Sequence, residues 1–175
     1  MRILLSLITV CGLPVIIRAV KSKKINCALL ICYVISIFVI TLAYRRADIK
    51  LNYSLNPFHA YKSLIETISD GIQQYGWSGL WKQFNEYKGQ INSVVLNTLL
   101  FVPLGYLLPS VFRSLGNLWK VLGVGLVISL TIEIIQLITR LGWFDASDII
   151  HNIAGAAIGY WIYKKWLQEI TEGQA

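Results

Sequence analysis

The stretch INCALLICYVISIFVITLAY, Ile25 to Tyr44, is 20 residues without a charge. At about 1.5 Å of rise per residue it crosses a hydrocarbon core about 30 Å thick, so it reads as a membrane-spanning helix. The composition around it agrees. Of 175 residues, 55% are apolar and 14% charged, against about 25% charged in a typical soluble domain. A mean hydropathy of +0.59 excludes disorder, which needs low hydrophobicity and high charge. The length leaves no room for a separate soluble catalytic domain. A net charge of +7 raises nucleic acid as a partner, but the basic residues fall at segment ends and form no stripe, which excludes it.

Four further apolar runs follow the same logic. Ile91 to Phe112 is uncharged and holds Pro103 and Pro109, and Val121 to Thr139 has one charge, Glu133. Ile149 to Tyr163 is 15 residues between Asp148 and Lys164, a length that needs Asp148 below the surface or lysines snorkelling at the other end. Ile3 to Ile17, also 15 residues, contains Gly12 and Pro14 and reads as a kinked span or a signal peptide. No small-residue cleavage site follows it in Arg18-Ala-Val-Lys21, so it is taken as a helix. Cys11, Cys27 and Cys32 lie within apolar runs and read as small packed side chains, with no disulfide, metal or cofactor expected.

The expected fold is therefore all-α: a polytopic membrane helical bundle of about five transmembrane helices, a single domain over residues 1–175. Its long connection, Arg45 to Gln90, holds ten of the 25 charges. There Tyr61, Leu64, Ile65, Ile68 and Ile72 fall near one helical face, and Trp77, Leu80, Trp81 and Phe84 repeat at spacings of three and four. This predicts amphipathic helices lying on the membrane, broken at Gly71 and at Gly76 to Gly79. A small soluble cap packing its aromatics on the other helices fits the composition equally well. Lys and Arg in short loops mark the cytoplasm. Arg18 to Lys24 holds four basic residues and no acid, Arg113 to Lys120 holds two, and Lys164-Lys165 opens the tail. With five spans these segments share the cytoplasmic side, and the 45–90 loop is extracytoplasmic.

Glu133 is the informative residue. A carboxylate inside a membrane helix costs about 2.5–3.5 kcal/mol on insertion scales, so it is rarely kept without a partner or a role. Glu133, Gln136 and Arg140 are spaced to share a face, and Asp145, Asp148 and Asn152 repeat the pattern on the next helix. Gly155 and Gly159 continue it, a spacing that lets a neighbouring helix approach closely. Asn97 lies about two turns into the preceding span, on the same side of the membrane. The cluster could hold an amine, a hydrated divalent cation bridging to a lipid phosphate, or sugar hydroxyls. The structural alternative is that Arg140 pairs with Asp145 or Asp148 while Glu133 bonds Gln136 or Asn97, locking helices together. His59 and His151 each stand alone without zinc-site spacing and read as satisfied or solvated histidines. Asp145 also reads as a cap of the final helix through the amides of Ser147 and Asp148.

Asn97-Thr-Leu-Leu-Phe-Val-Pro-Leu-Gly105, Ser129-Leu-Thr-Ile-Glu-Ile-Ile-Gln136 and Asp145-Ala-Ser-Asp148 with Asn152 and Gly155 resemble the VanZ-like family. Asn56-Pro-Phe58 is similar to that family's short motif before its second conserved helix. The resemblance covers about Asn56 to Tyr163, with the core at 91–166. It implies a small polytopic protein of the bacterial inner membrane, in a family whose named member lowers susceptibility to teicoplanin. On that basis the expected partners are membrane lipids and a lipid-like or lipoglycopeptide ligand bound or sequestered at the outer face. The alternative is a membrane enzyme acting on a lipid-linked envelope precursor, with Glu133 or Asp148 as acid or base and Arg140 holding a phosphate. An ion-coupled carrier would also need acids in the inner halves of the helices, and the sequence places none there.

Overall fold

The computed structural model describes residues 23–42, 53–78, 81 and 84–172, and their side chains except at 23, 84–87 and 166–172. The described chain forms five α-helices: α1 (Lys23–Leu42), α2 (His59–Tyr75), α3 (Phe84–Val111), α4 (Leu118–Thr139) and α5 (Ala146–Glu172). Two short strands, β1 (Tyr53–Ser54) and β2 (Phe144–Asp145), and two 3-10 turns complete it. Three helices are long and apolar enough to cross a membrane: Lys24–Leu42 in α1, Lys88–Val111 in α3 and Leu118–Thr139 in α4. The expected run Ile149 to Tyr163 forms the first part of α5, but its apolar stretch is short of the about 20 residues of a full span. The run Ile3 to Ile17 lies outside the described residues.

Helices α3 and α5 make the closest contact, because glycines remove the side chains between them. A Cβ at Gly155 would strike the carbonyl oxygen of Thr98, one at Gly159 that of Val102, and one at Gly105 that of Ala156. Residue numbers rise together along the contact, so α3 and α5 run parallel. Helix α4 runs antiparallel to α5, with Asn152 Nδ2 donating to Ser129 Oγ at 2.9 Å. Helix α1 leans on both α3 and α4. The Tyr33 hydroxyl donates to the Leu100 carbonyl at 2.6 Å, one residue on from the Leu99 carbonyl whose ladder bond Pro103 removes. Gln136 Nε2 reaches the Thr41 carbonyl at 3.4 Å.

The core follows from these contacts. Leu30, Tyr33 and Ile37 of α1 are buried with Phe101, Leu104 and Leu107 of α3 and with Val121, Ile132 and Ala156. On the other face of α1, Ile31, Ile35 and Val39 are exposed, as are Val127, Ile134 and Ile138 of α4. Apolar stripes of this length are costly in water and favourable against lipid tails.

The ends of α1 and α4 and the beginnings of α3 and α5 meet at one end of the bundle, together with α2. The Asn56 side chain accepts the Phe58 N–H at 3.0 Å and its carbonyl accepts the His59 N–H at 3.1 Å, a local turn that launches α2. Gly71, expected as a break, is buried within a continuous α2, which ends at Gly76 with φ +60°. One glycine costs a helix only about 1 kcal/mol against alanine, and the face formed by Leu64, Ile68 and Ile72 offsets it. The strands β1 and β2 pair in parallel, Tyr53 opposite Phe144 and Ser54 opposite Asp145. This clip, which an all-α reading does not include, ties the long connection to the α4–α5 turn.

Candidate functional site

The α4–α5 turn is organised by two carboxylates. Glu133, 1% exposed, accepts the backbone N–H of Asp145 at 2.8 Å. Asp145 Oδ1 then accepts the N–H of Ser147 at 2.9 Å and the Ser147 hydroxyl at 2.8 Å, satisfying a donor that the first turn of α5 would otherwise leave open. Glu133 thus fixes the turn, and Asp145 caps the helix.

From that cap, α5 presents Asp148 and His151 one turn apart. His151 is 3% exposed. Its Nε2 lies 2.8 Å from the Tyr61 hydroxyl of α2, with the rings edge to face and centroids 5.4 Å apart. Its Nδ1 lies 4.0 Å from Asp148 Oδ1. Asp148, His151 and Tyr61 therefore form a line from α5 into α2, attaching the long connection to the bundle.

Beside this line is a pocket of about 200 Å³. Helix α2 contributes His59 and Ser63, α3 contributes Gln90 and Ser93, and Asp145 and Asp148 close it, with Trp143 at the side. Gln90 Nε2 donates to Ser63 Oγ at 3.0 Å, which orients the amide, and Gln90 Oε1 is buried without a hydrogen-bond partner among the described residues. An apolar groove of about 290 Å³ rests on Tyr53, Leu55, Leu137 and Phe144. Phe144 and Asp145 are neighbours in β2, and successive strand side chains point to opposite faces. One strand therefore supplies a wall to the polar pocket and a wall to the apolar groove.

The residues singled out by spacing separate in space. Asp145 and Asp148 line the pocket, and Glu133 is joined to it through the Asp145 amide. Gln136 is buried and turned toward α1. Arg140 is exposed at the end of α4 with φ +56°, a left-handed residue that takes the chain off the helical face shared by Glu133 and Gln136. Asn152 bonds Ser129, and the half-buried Asn97 has Nδ2 without a partner among the described residues. Gly155 and Gly159 lie at the α3–α5 contact. Sequence reasoning missed Tyr61, Ser63, Gln90, Ser93 and Trp143 and set His59 and His151 aside. The signal available for His151 was its spacing of three from Asp148.

The family model described as VanZ/LLP1 matches residues 27–168, well over half of the chain. The chain belongs to the VanZ/LLP1 family. It is also similar to Protein VanZ of Enterococcus faecium, 40% identical over 75 residues, which are 43% of this chain and 46% of that protein. The match thus spans about half the length of that curated relative. No solved structure matches the chain. With three helices of spanning length and composition, the VanZ/LLP1 chain is a membrane protein.

Proposed function

We propose that this VanZ/LLP1 protein is a multi-pass protein of the bacterial inner membrane that binds or sequesters an envelope amphiphile at its extracytoplasmic face, and so alters susceptibility to glycopeptide or lipoglycopeptide antibiotics. In this reading Ile3 to Ile17 and α5 join α1, α3 and α4 as spans, and the 45–90 connection lies outside against lipid head groups. The observation that carries it is the shared strand β2, with Asp145 on the polar pocket and Phe144 on the apolar groove. That pairing suits a ligand with a polar head and an apolar body. At about 200 Å³ the pocket is below the roughly 300–1,000 Å³ of sites that enclose drug-sized ligands, so it takes a head group and leaves the remainder to the groove and the bilayer. The antibiotic part of the reading comes from the family.

The test is teicoplanin susceptibility in a sensitive host expressing the protein, beside Asp148→Asn and Phe144→Ser at matched membrane abundance. Wild type raises the inhibitory concentration, and each variant loses the effect. Unchanged susceptibility with wild type removes the antibiotic role. Variants as effective as wild type remove the pocket and groove.

A second reading, an enzyme acting on a lipid-linked envelope precursor, is supported by the line of Asp148, His151 and Tyr61 beside the pocket. Such a line could move a proton at the Tyr61 hydroxyl. Glu133 does not suit the acid–base role, because it is buried and engaged with the Asp145 amide.

A further inference from the structure

We propose that the head group taken by the pocket is a primary ammonium, an inference that rests on the amphiphile-binding reading and narrows it to one chemistry. Among the described residues the lining carries two carboxylates, from Asp145 and Asp148, and no lysine or arginine. Carboxylates accept and do not donate. Asp148 is held in a wall that is largely closed to solvent, its side chain 13% exposed. One further polar atom of the lining is buried without a hydrogen-bond partner among the described residues: Gln90 Oε1, an acceptor whose amide is already turned by its bond to Ser63.

A buried polar atom without a partner marks a place where water or a ligand completes the bonding. The set here is dominated by acceptors and negative charge, so it asks for a small group with several N–H donors and a positive charge. An ammonium supplies three donors from one atom, and its bonds to carboxylates are charge-assisted. Trp143, half out of the pocket, offers an indole face on which a cation is also attracted. A phosphate would instead meet two carboxylates at close range, and like charges across a desolvated contact repel. The chemistry is that of an aminophospholipid head, an amino sugar or a free peptide amine alike.

The full chain in phosphatidylcholine nanodiscs is titrated with dodecylammonium, with the equally long but uncharged N-dodecylacetamide, and with dodecyl phosphate, empty discs being subtracted. The expected result is saturable one-to-one binding, at least about tenfold tighter for the ammonium, the factor that one charge-assisted bond supplies. Asp148→Asn should bring the ammonium and the acetamide to within about threefold of each other. Ser93→Trp fills the pocket while leaving both aspartates in place and should abolish ammonium binding, which keeps the test decisive if Asp148→Asn does not fold. Displacement of dodecylammonium by phosphatidylethanolamine in the discs assigns the ammonium to a lipid head, displacement by free glucosamine to a soluble amino sugar, and displacement by alanyl-alanine to a peptide amine; displacement by none of the three overturns the proposal. Equal affinity for ammonium and acetamide, or preference for the phosphate, also overturns it and leaves the amphiphile reading standing. No saturable binding of any of the three overturns both.

Discussion

The carboxylate of Glu133 and the backbone N–H of Asp145 meet at 2.8 Å, joining the last turns of α4 to the start of α5. A buried N–H without its acceptor costs about 1–3 kcal/mol, so the charge most suggestive of chemistry has a structural task. Glu133→Leu removes the acceptor and should lower the melting temperature in detergent and deplete the protein from the membrane. Glu133→Gln keeps a carbonyl in place and should retain more than half of the stability lost in Glu133→Leu. Per molecule of membrane protein, the antibiotic phenotype of Glu133→Gln should equal wild type. A full-abundance Glu133→Gln protein without phenotype would return Glu133 to the chemistry.

Gly155 and Gly159 face carbonyl oxygens of α3 so closely that no Cβ fits. Alanine at either position forces the helices apart, and overpacking of this kind costs about 1–3 kcal/mol. Gly123 in α4 has nothing within 4 Å of its would-be Cβ, so Gly123→Ala should be neutral. Thermal unfolding in one detergent should rank Gly123→Ala with wild type and Gly155→Ala and Gly159→Ala well below. Equal melting temperatures for all three would mean that α3 and α5 are not in close contact.

What was legible in the sequence follows from the range of each signal. Runs without charge announce α1, α3 and α4 because the length of a span is a local property. The meeting of Glu133 with Asp145 was foreshadowed by helix order, since a turn of a few residues returns the chain to the same end. The Gly155 and Gly159 spacing likewise points to a helix contact without naming the partner. Arg140 shows where spacing misleads: the i, i+4 rule from Gln136 applies only while the helix continues, and a left-handed residue ends it there. The pocket was not legible, because three of its polar walls, His59, Ser63 and Gln90, come from the long connection and the start of α3. Their approach to Asp145 and Asp148 depends on the β1–β2 clip, and two-residue strands leave no periodicity to read. Tyr61 was read as part of an apolar face; its hydroxyl instead meets a histidine 90 positions away.

The Tyr61–His151 bond ties α2 to the bundle, so its loss should be felt locally. A net hydrogen bond is worth about 0.5–1.5 kcal/mol, too little to unfold the helices of the core. Tyr61→Phe should raise amide hydrogen exchange through 59–75 by about threefold to tenfold, the factor that energy corresponds to, with exchange in α3 and α5 unchanged. Identical exchange in α2 would show that the 2.8 Å contact does not hold the helix.

Trp77 and Trp81 are 77% and 79% exposed at the end of the bundle that carries α2. Indole rings favour head-group depth, so variants retaining one of these tryptophans should be quenched most by lipids brominated near the head group. Quenching by aqueous acrylamide alone would favour a soluble cap.

Orientation is the remaining prediction, and the fold makes it a single choice. Because α1 and α4 run toward the α2 end and α3 and α5 away from it, Lys24, the Arg113–Lys120 turn and Lys164-Lys165 all lie at the opposite end. Their charges therefore vote together, and short basic segments stay in the cytoplasm. The long connection has six basic residues against four acids, but loops of its length are translocated with little regard to charge. In a background lacking Cys11, Cys27 and Cys32, a cysteine at exposed Glu66 should react with a membrane-impermeant maleimide in intact cells. Cysteines at exposed Arg113 and Lys165 should react only after permeabilisation. The reverse pattern would place the acidic pocket in the cytoplasm, out of reach of any envelope amphiphile, and the binding reading would fall with the orientation. Labelling of all three in intact cells would mean a mixed topology, which the coherent charge bias of the basic end forbids.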